Sequence, residues 1–458
     1  MAIATVNPAT GETVETFEPH DSAEVQRRIA ESYAAAGQLR NTSFAQRAEW
    51  MNATADILEA DVERAAAMIT LEMGKPIAQS RAEVLKCVRN IRFYADNAES
   101  FLAGEELADP SSVNASAAGT VWQPLGVVLA VMPWNYPLWQ VIRFAAPALM
   151  AGNTGLLKHA SNVPRSALYL DELFEKGGFP AGSFRTLLIG SREVAAVIED
   201  DRVKAVTLTG SEPAGRSVAS TAGQEIKKAV LELGGSDPFI VMPSADIEAA
   251  AVVAVKARTS NNGQSCIAGK RFIVHADVYD EFTRLFVGKM NALRVGDPMD
   301  EDTDVGPLAT ESGRTDVAEL VDDAVVKGAQ VLAGGSAPDR PGWYYTPTVL
   351  AGLTDDMRIV LEETFGPVAS VYRVADREEA VRVANQTSFG LSSAVWSNDD
   401  AEQDWFIANL DAGAVFVNGM TVSYPELPFG GVKDSGYGRE LAAAGIREFC
   451  NLKTVWKA

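Results

Sequence analysis

Three windows of this chain hold residue types whose surroundings suit covalent chemistry. The sharpest is Asn261-Asn262-Gly263-Gln264-Ser265-Cys266. A cysteine attacks as its thiolate and needs an access path, and a polar run containing glycine suits an exposed loop. Taken alone, the window fits a buried structural cysteine as well, because free cysteine is often buried. The second window is Leu231-Glu232-Leu233-Gly234-Gly235. A carboxylate set among apolar residues and glycines is held toward a raised pKa, which suits a general base near neutrality. An ordinary strand-end glutamate paired with Lys227 or Lys228 has the same local sequence. The third is Pro133-Trp134-Asn135-Tyr136-Pro137. Here Asn135 caps a helix with Pro137 in its first turn, or its amide donates to a developing oxyanion.

Other windows suit binding. Trp139 and Arg143 follow Asn135 at four-residue steps, which puts all three on one helical face. Arg143 lies in the apolar stretch 141–150, where a cation needs a partner, either a structural carboxylate or a substrate carboxylate. The run Gly210-Ser211-Glu212-Pro213-Ala214-Gly215-Arg216-Ser217 is one residue from a P-loop, with Arg216 where the phosphate-binding lysine belongs. A strand, a small-residue turn and a helix N-terminus still make a cradle for pyrophosphate. No GxGxxG is present, so the standard Rossmann fingerprint fails. The acidic run from Asp300 to Gly306 resembles a calcium loop, but its glycine falls one place late, and it reads as a turn. The three histidines (His20, His159, His275) and three cysteines (Cys87, Cys266, Cys450) show no zinc spacing. No metal is expected, and the catalytic base is expected to be a carboxylate. His159, after a strand end, reads as structural.

The elements that must position these groups follow from periodicity. Segments 22–36 and 43–72 repeat apolar residues at three-to-four spacing, so 22–103 reads as helical, with Ser22 as a candidate N-cap. From about residue 121, short apolar runs alternate with helical stretches: 126–132, 154–158, 185–189, 203–209, 238–241 and 272–274, then 329–333, 370–374 and 414–418. That alternation predicts two α/β units with parallel sheets. The stretch 448–456 alternates weakly and is a candidate strand for pairing with another subunit. The 458 residues exceed one ordinary core. The formal charge of −21 disfavours nucleic acid as a partner. No apolar run is long enough to span a bilayer and no secretory pattern opens the chain, so a cytoplasmic, non-membrane protein is expected.

In order along nearly the whole chain, these windows resemble the aldehyde dehydrogenase superfamily. The likeness begins at Asn7-Pro8-Ala9-Thr10-Gly11-Glu12 and runs through Pro133-Trp134-Asn135, Lys158, Thr209-Gly210-Ser211, Glu232-Leu233-Gly234-Gly235 and Gly263-Gln264-Ser265-Cys266. It ends with Glu362-Glu363-Thr364-Phe365-Gly366-Pro367 and Pro428-Phe429-Gly430-Gly431. Runs 140–150, 231–242 and 418–440 are similar to the shorter bacterial NADP-dependent succinate-semialdehyde dehydrogenases.

The resemblance implies an α/β fold: a Rossmann-like cofactor domain (1–105 and 126–234), an α/β catalytic domain (235–440) and a β oligomerisation extension (106–125 and 441–458). It implies that Cys266 attacks an aldehyde, that Asn135 and the Cys266 N–H hold the oxyanion, and that hydride passes to nicotinamide. Glu232-activated water then hydrolyses the thioester. It assigns Lys158 to the adenosine ribose, Gly210 and Ser211 to the pyrophosphate, and Glu363 to the nicotinamide ribose. Trp134, Leu233 and Phe365 complete the cofactor set. NAD-preferring members often carry glutamate where this chain has Ser161, so NADP is expected as the preferred cofactor, with NAD possible. For a small aldehyde substrate, succinate semialdehyde or a relative such as glutarate semialdehyde, Arg143 would hold a distal carboxylate. Ser265, Ser423 and Trp139 complete that pocket. A homodimer or homotetramer is implied. The rivals are a CoA-acylating relative, which generally lacks the glutamate present here as Glu232, a P-loop-like nucleotide hydrolase, and a binding protein without chemistry.

Overall fold

A computed structural model describes residues 2–458. Two parallel-dominated sheets organise it. In the first, the strand order is Gly436–Tyr437, Lys228–Glu232, Val203–Thr209, Val127–Met132, Thr154–His159 and Phe184–Thr186. All neighbours are parallel except the short Gly436–Tyr437, which pairs antiparallel with Leu231 and Glu232. The chain leaves Val127–Met132 in one direction and returns on its other side at Val203–Thr209. The order therefore reverses between these two strands, the place where open α/β sheets bind ligands at their carboxyl ends. In the second sheet the order is Gln330–Ala333, Thr348–Ala351, Val368–Val374, Gly269–His275, Asp237–Val241, Ser393–Trp396 and Val415–Val417. Only its first pair is antiparallel.

The predicted helical region resolves into Ser22–Leu39, Phe44–Ala60, Val62–Met73 and Ile77–Phe101. The first is capped by Asp21, whose carboxylate accepts from the Glu24 N–H at 2.8 Å, so the cap lies one residue before the expected Ser22. The predicted 43–72 segment breaks at Asp61 into two helices. The helix Trp139–Ala151 is buried along its whole length and packs on Ile77–Phe101. This buried contact belongs to the largest core cluster, which also holds residues of the first sheet.

The strand expected at 185–189 is Phe184–Thr186, with 187–190 running on as an irregular segment. The C-terminal strand Cys450–Lys457 finds its partner within the same chain. It pairs antiparallel with Ala117–Pro124 over eight residue pairs, a two-stranded ribbon with Val121, Leu452 and Trp456 exposed. Among the described residues, no helix is long and apolar enough to cross a membrane.

Candidate active site

Cys266, Glu363 and Phe365 precede second-sheet strands, whereas Met132, His159, Thr209 and Glu232 end first-sheet strands. The site therefore lies where the carboxyl edge of one sheet meets the amino edge of the other. Gly235 joins the two: a Cβ there would lie 2.5 Å from the Cys266 carbonyl oxygen, so only glycine allows this approach.

The segment before Cys266 is buried rather than exposed, and hydrogen bonds replace the expected solvent. Asn261, Asn262 and Gly263 are left-handed in succession, at φ 60°, 57° and 75°. Asparagine and glycine tolerate that conformation best. The Asn262 amide donates to the Gly74 and Pro307 carbonyls, each at 2.9 Å, and its Oδ1 accepts from the Gly306 N–H at 2.8 Å. The Gln264 Oε1 accepts from the Ala309 N–H at 3.0 Å. Behind the cysteine, Lys270 Nζ donates to the Ser265 and Cys266 carbonyls at 3.0 and 2.8 Å. Cys266 itself stays partly exposed to a cavity of about 640 Å³. Burial, then Glu363, pushes its thiol up to about 12, against Lys270 and Arg143.

Asn135 does not cap a helix. The following helix starts at Trp139, and its cap is supplied from elsewhere: Glu83 Oε1 accepts from the Leu138 and Trp139 N–H groups at 2.9 and 3.0 Å. Asn135 is 3% exposed and donates one amide hydrogen to the Gln264 carbonyl at 3.1 Å. Its backbone carbonyl accepts from Asn261 at 2.9 Å. An amide nitrogen has two hydrogens, so a second donor remains beside the cysteine loop. Trp139 and Arg143 share the helix, but Asn135 precedes it, so the single helical face holds for two of the three.

Glu232 ends its strand with a 2% exposed side chain, and neither carboxylate oxygen has a hydrogen-bond partner among the described residues. The lysine pairing is absent: Lys227 donates to the Ile198 and Asp200 carbonyls, and Lys228 pairs with Glu448 at 2.8 Å. Burial, then the neighbouring Glu440, raises the Glu232 pKa well above the usual carboxylate range, against Arg143. Its base form therefore grows in as pH rises through that higher range.

Arg143, 2% exposed, reaches the same cavity already paired. It forms a close ion pair with Glu440, donates to Thr209 Oγ1 at 3.3 Å, and lies 4.7 Å from the Phe429 ring centre. The structural carboxylate left open by the sequence is thus present. Ser265 and Trp139 line the cavity, and so does Ser423, whose hydroxyl accepts from Lys86 Nζ at 2.7 Å. Sequence reasoning missed Glu83, Lys86, Lys270 and Glu440. Glu83 and Lys86 sit in an amphipathic helix with many other charged residues, so nothing local singled them out.

At the first sheet's carboxyl edge, Lys158 has no carboxylate within ion-pair distance among the described residues, and burial lowers its pKa. Ser161 follows in a narrow groove with His159 and Leu188. His159 is structural: both ring nitrogens lie near carbonyls, Met132 at 3.2 Å and Pro137 at 2.9 Å, and burial holds its pKa near 4. Gly210 and Ser211 lead into the helix Glu212–Gln224, whose N-cap Ser211 makes no side-chain cap bond, so first-turn N–H groups remain for an anion. Leu233 packs against Gly215 of that helix. Arg216 points to the surface and pairs with Asp434 at 3.1 Å, unlike a P-loop cation. Glu363 accepts from the Gly235 N–H at 3.1 Å and pairs with Lys270 at 3.2 Å. Trp134 and Phe365 meet edge-to-face at 5.7 Å. In the acidic run, Arg294 pairs with Asp300 and Asp302 at 2.6 and 3.1 Å, which makes it a braced turn.

The sequence profile of the aldehyde dehydrogenase family matches residues 1–455. The chain belongs to the aldehyde dehydrogenase family. Within that family it is 64% identical, over all 458 residues and the full length of both chains, to a Mycobacterium tuberculosis protein named succinate-semialdehyde dehydrogenase (NADP+) 1. A Mycobacterium leprae succinate-semialdehyde dehydrogenase (NADP+) is 61% identical over the same span. Among solved structures, the succinic semialdehyde dehydrogenase of Streptococcus pyogenes in complex with NADP+ superimposes with a TM-score of 0.96 at 38% identity, covering 99% of each chain. The succinate-semialdehyde dehydrogenase of Burkholderia pseudomallei gives 0.95 at 34% identity, covering 99% of this chain and 94% of the other.

Proposed function

We propose that this protein oxidises succinate semialdehyde to succinate with NADP+, through a thioester on Cys266. The observation that carries the reading is the shared cavity: Cys266 faces it together with Arg143 and Ser423, groups suited to an aldehyde that ends in a carboxylate. The full-length likeness to NADP-dependent succinate-semialdehyde dehydrogenases supports the same substrate and cofactor.

The residues fit a phosphorylated dinucleotide. Lys158, a cation without a carboxylate partner, lies beside Ser161, where no acidic side chain would repel a 2′-phosphate. Gly210, Ser211 and the helix start would hold the pyrophosphate, Glu363 the nicotinamide ribose, and Trp134, Leu233 and Phe365 the nicotinamide end. When bound, NADP+ supplies the hydride acceptor. The Cys266 thiol passes its proton to solvent in the cavity and its sulfur bonds to the aldehyde carbon. The free Asn135 amide hydrogen and the Cys266 N–H stabilise the charge on the carbonyl oxygen. After oxidation the acyl group is a thioester. Glu232 in its base form takes a proton from water, whose oxygen attacks the acyl carbon, and the sulfur leaves. Trp139 and Ser265 shape the cavity wall.

The chain is accordingly divided into a cofactor domain (1–105 and 126–234), a catalytic domain (235–440) and an extension (106–125 and 441–458). The exposed apolar side chains of the ribbon support a homodimer or homotetramer built through it.

The test compares kcat/KM for succinate semialdehyde with that for butanal, which has the same chain length and no carboxylate, using NADP+. A large advantage for the semialdehyde is expected. Equal values would remove the carboxylate anchor, and no NADP+ reduction by either would remove the chemistry.

A further inference from the structure

The cavity beside Cys266 is lined by four basic side chains, three buried or partly buried and one exposed, whose pairing differs. Lys75 is ion-paired with Glu83, and its ammonium sits 3.9 Å from the Tyr136 ring centre. Arg143 is paired with Glu440 and braced by Thr209. Lys256 lies exposed on the cavity rim. Lys86, on the helix Ile77–Phe101, has no carboxylate within ion-pair distance among the described residues. Its ammonium lies 3.9 Å from the Trp139 ring centre and donates to Ser423 Oγ at 2.7 Å.

Leaving such a cation unpaired away from water is costly. Of the acidic groups that line the cavity, Glu83 is already engaged by Lys75 and by the two N–H groups of the helix start, Glu301 by Arg81, and Asp304 by the Arg294 N–H at 2.8 Å. Burial, then repulsion from Arg143, pushes the Lys86 pKa down to about 7, with Lys75 acting in the same direction and Cys87 and Glu83 opposing. An ammonium has three hydrogens and a serine hydroxyl one. With one ammonium hydrogen on Ser423, two remain, and the Ser423 hydroxyl hydrogen is itself free because its oxygen is accepting.

We infer that Lys86 and Ser423 form the direct seat of the substrate carboxylate, with Arg143, locked by Glu440, as a fixed positive charge beside it. This rests on the carboxylate-bearing substrate proposed above. It makes Lys86 a specificity-determining residue: no carboxylate of the described residues pairs with it, and a substrate anion in the cavity would supply one.

The experiment measures kcat/KM for succinate semialdehyde and for butanal in wild type, Lys86→Met and Lys86→Arg. Methionine keeps an unbranched apolar stem and removes the charge. The ratio of semialdehyde to butanal should fall about 10- to 100-fold in Lys86→Met, mainly through KM, as loss of a charge-assisted hydrogen bond predicts. It should be largely kept in Lys86→Arg. A ratio unchanged in Lys86→Met, with wild type still preferring the semialdehyde, overturns the inference and leaves the substrate reading standing. A wild type without preference overturns both. Succinate binding read by thermal shift gives a measurement independent of turnover: succinate should raise Tm in wild type and Lys86→Arg. Should Lys86→Met fold poorly, Ser423→Ala takes its place and should lose this shift. A shift equal to wild type would contradict the proposed seat.

Discussion

The two segments that meet at Gly235 are built on opposite rules. The loop 261–265 is densely tied: the amides of Asn261, Asn262 and Gln264 bind it to Gly74, Asn135, Gly306, Pro307 and Ala309, while Asn261 Oδ1 and Gln264 Nε2 have no partner among the described residues. The strand end at Glu232 is bare, with two buried carboxylate oxygens that touch no donor. A buried polar group without a partner costs free energy, so this contrast separates the parts that must hold still from the part that must exchange a proton. In the proposed mechanism the bonds of the loop fix the approach of the Cys266 sulfur and the Asn135 amide. Bareness raises the Glu232 pKa, which suits the proton transfer from water proposed for it. The same division recurs among the cations of the cavity, where Arg143 is held and Lys86 is free.

Substitutions sharpen this contrast. Removing the proposed nucleophile that the tied loop presents should have the largest effect: Cys266→Ala should reduce aldehyde oxidation by at least about 10⁴-fold, measured as NADPH formation, with the fold intact by circular dichroism. Asn135→Ala removes the proposed oxyanion donor and should lower kcat by about 10²–10³-fold. A drop in KM terms alone would assign Asn135 to substrate binding. Asn262→Ala strips three hydrogen bonds from the loop and places alanine at φ 57°. It should destabilise the protein by about 3 kcal/mol or more, read as a lowered Tm, with activity per folded molecule reduced about tenfold. An unchanged Tm would show that the loop's bonds are dispensable. The smallest effect lies farthest from the reacting atoms. Ser161→Glu should move the NADP+ to NAD+ preference by about tenfold toward NAD+, roughly 1.4 kcal/mol, and no shift would detach Ser161 from the cofactor.

The sequence exposed the groups proposed to react more readily than those that hold them. Cys266, Glu232 and Asn135 stood out because each breaks the character of its surroundings, and the alternation of apolar runs with helices carried both sheets. The holding groups were hidden because they act across long sequence distances. Glu83 caps a helix that begins 56 residues later, and Glu440 meets Arg143 from near the other end of the chain. Nothing in the local pattern around Asn135 distinguishes a helix cap from a free amide. Tertiary packing decided it by bringing Glu83 to the helix start. The strands Lys228–Glu232, Thr348–Ala351 and Ser393–Trp396 were missed for a related reason: each has only four or five residues, and their burial comes from neighbouring strands.

The most direct test of a bare Glu232 acting on a Cys266 thioester is intact-mass analysis of Glu232→Gln after mixing with NADP+ and succinate semialdehyde. Glutamine keeps the shape and cannot take the proton from water. The variant should produce up to one equivalent of NADPH per active site and then stall, with one succinyl group retained on the peptide carrying Cys266. Continued turnover at the wild-type rate without an adduct, or an adduct on any other residue, would contradict the account.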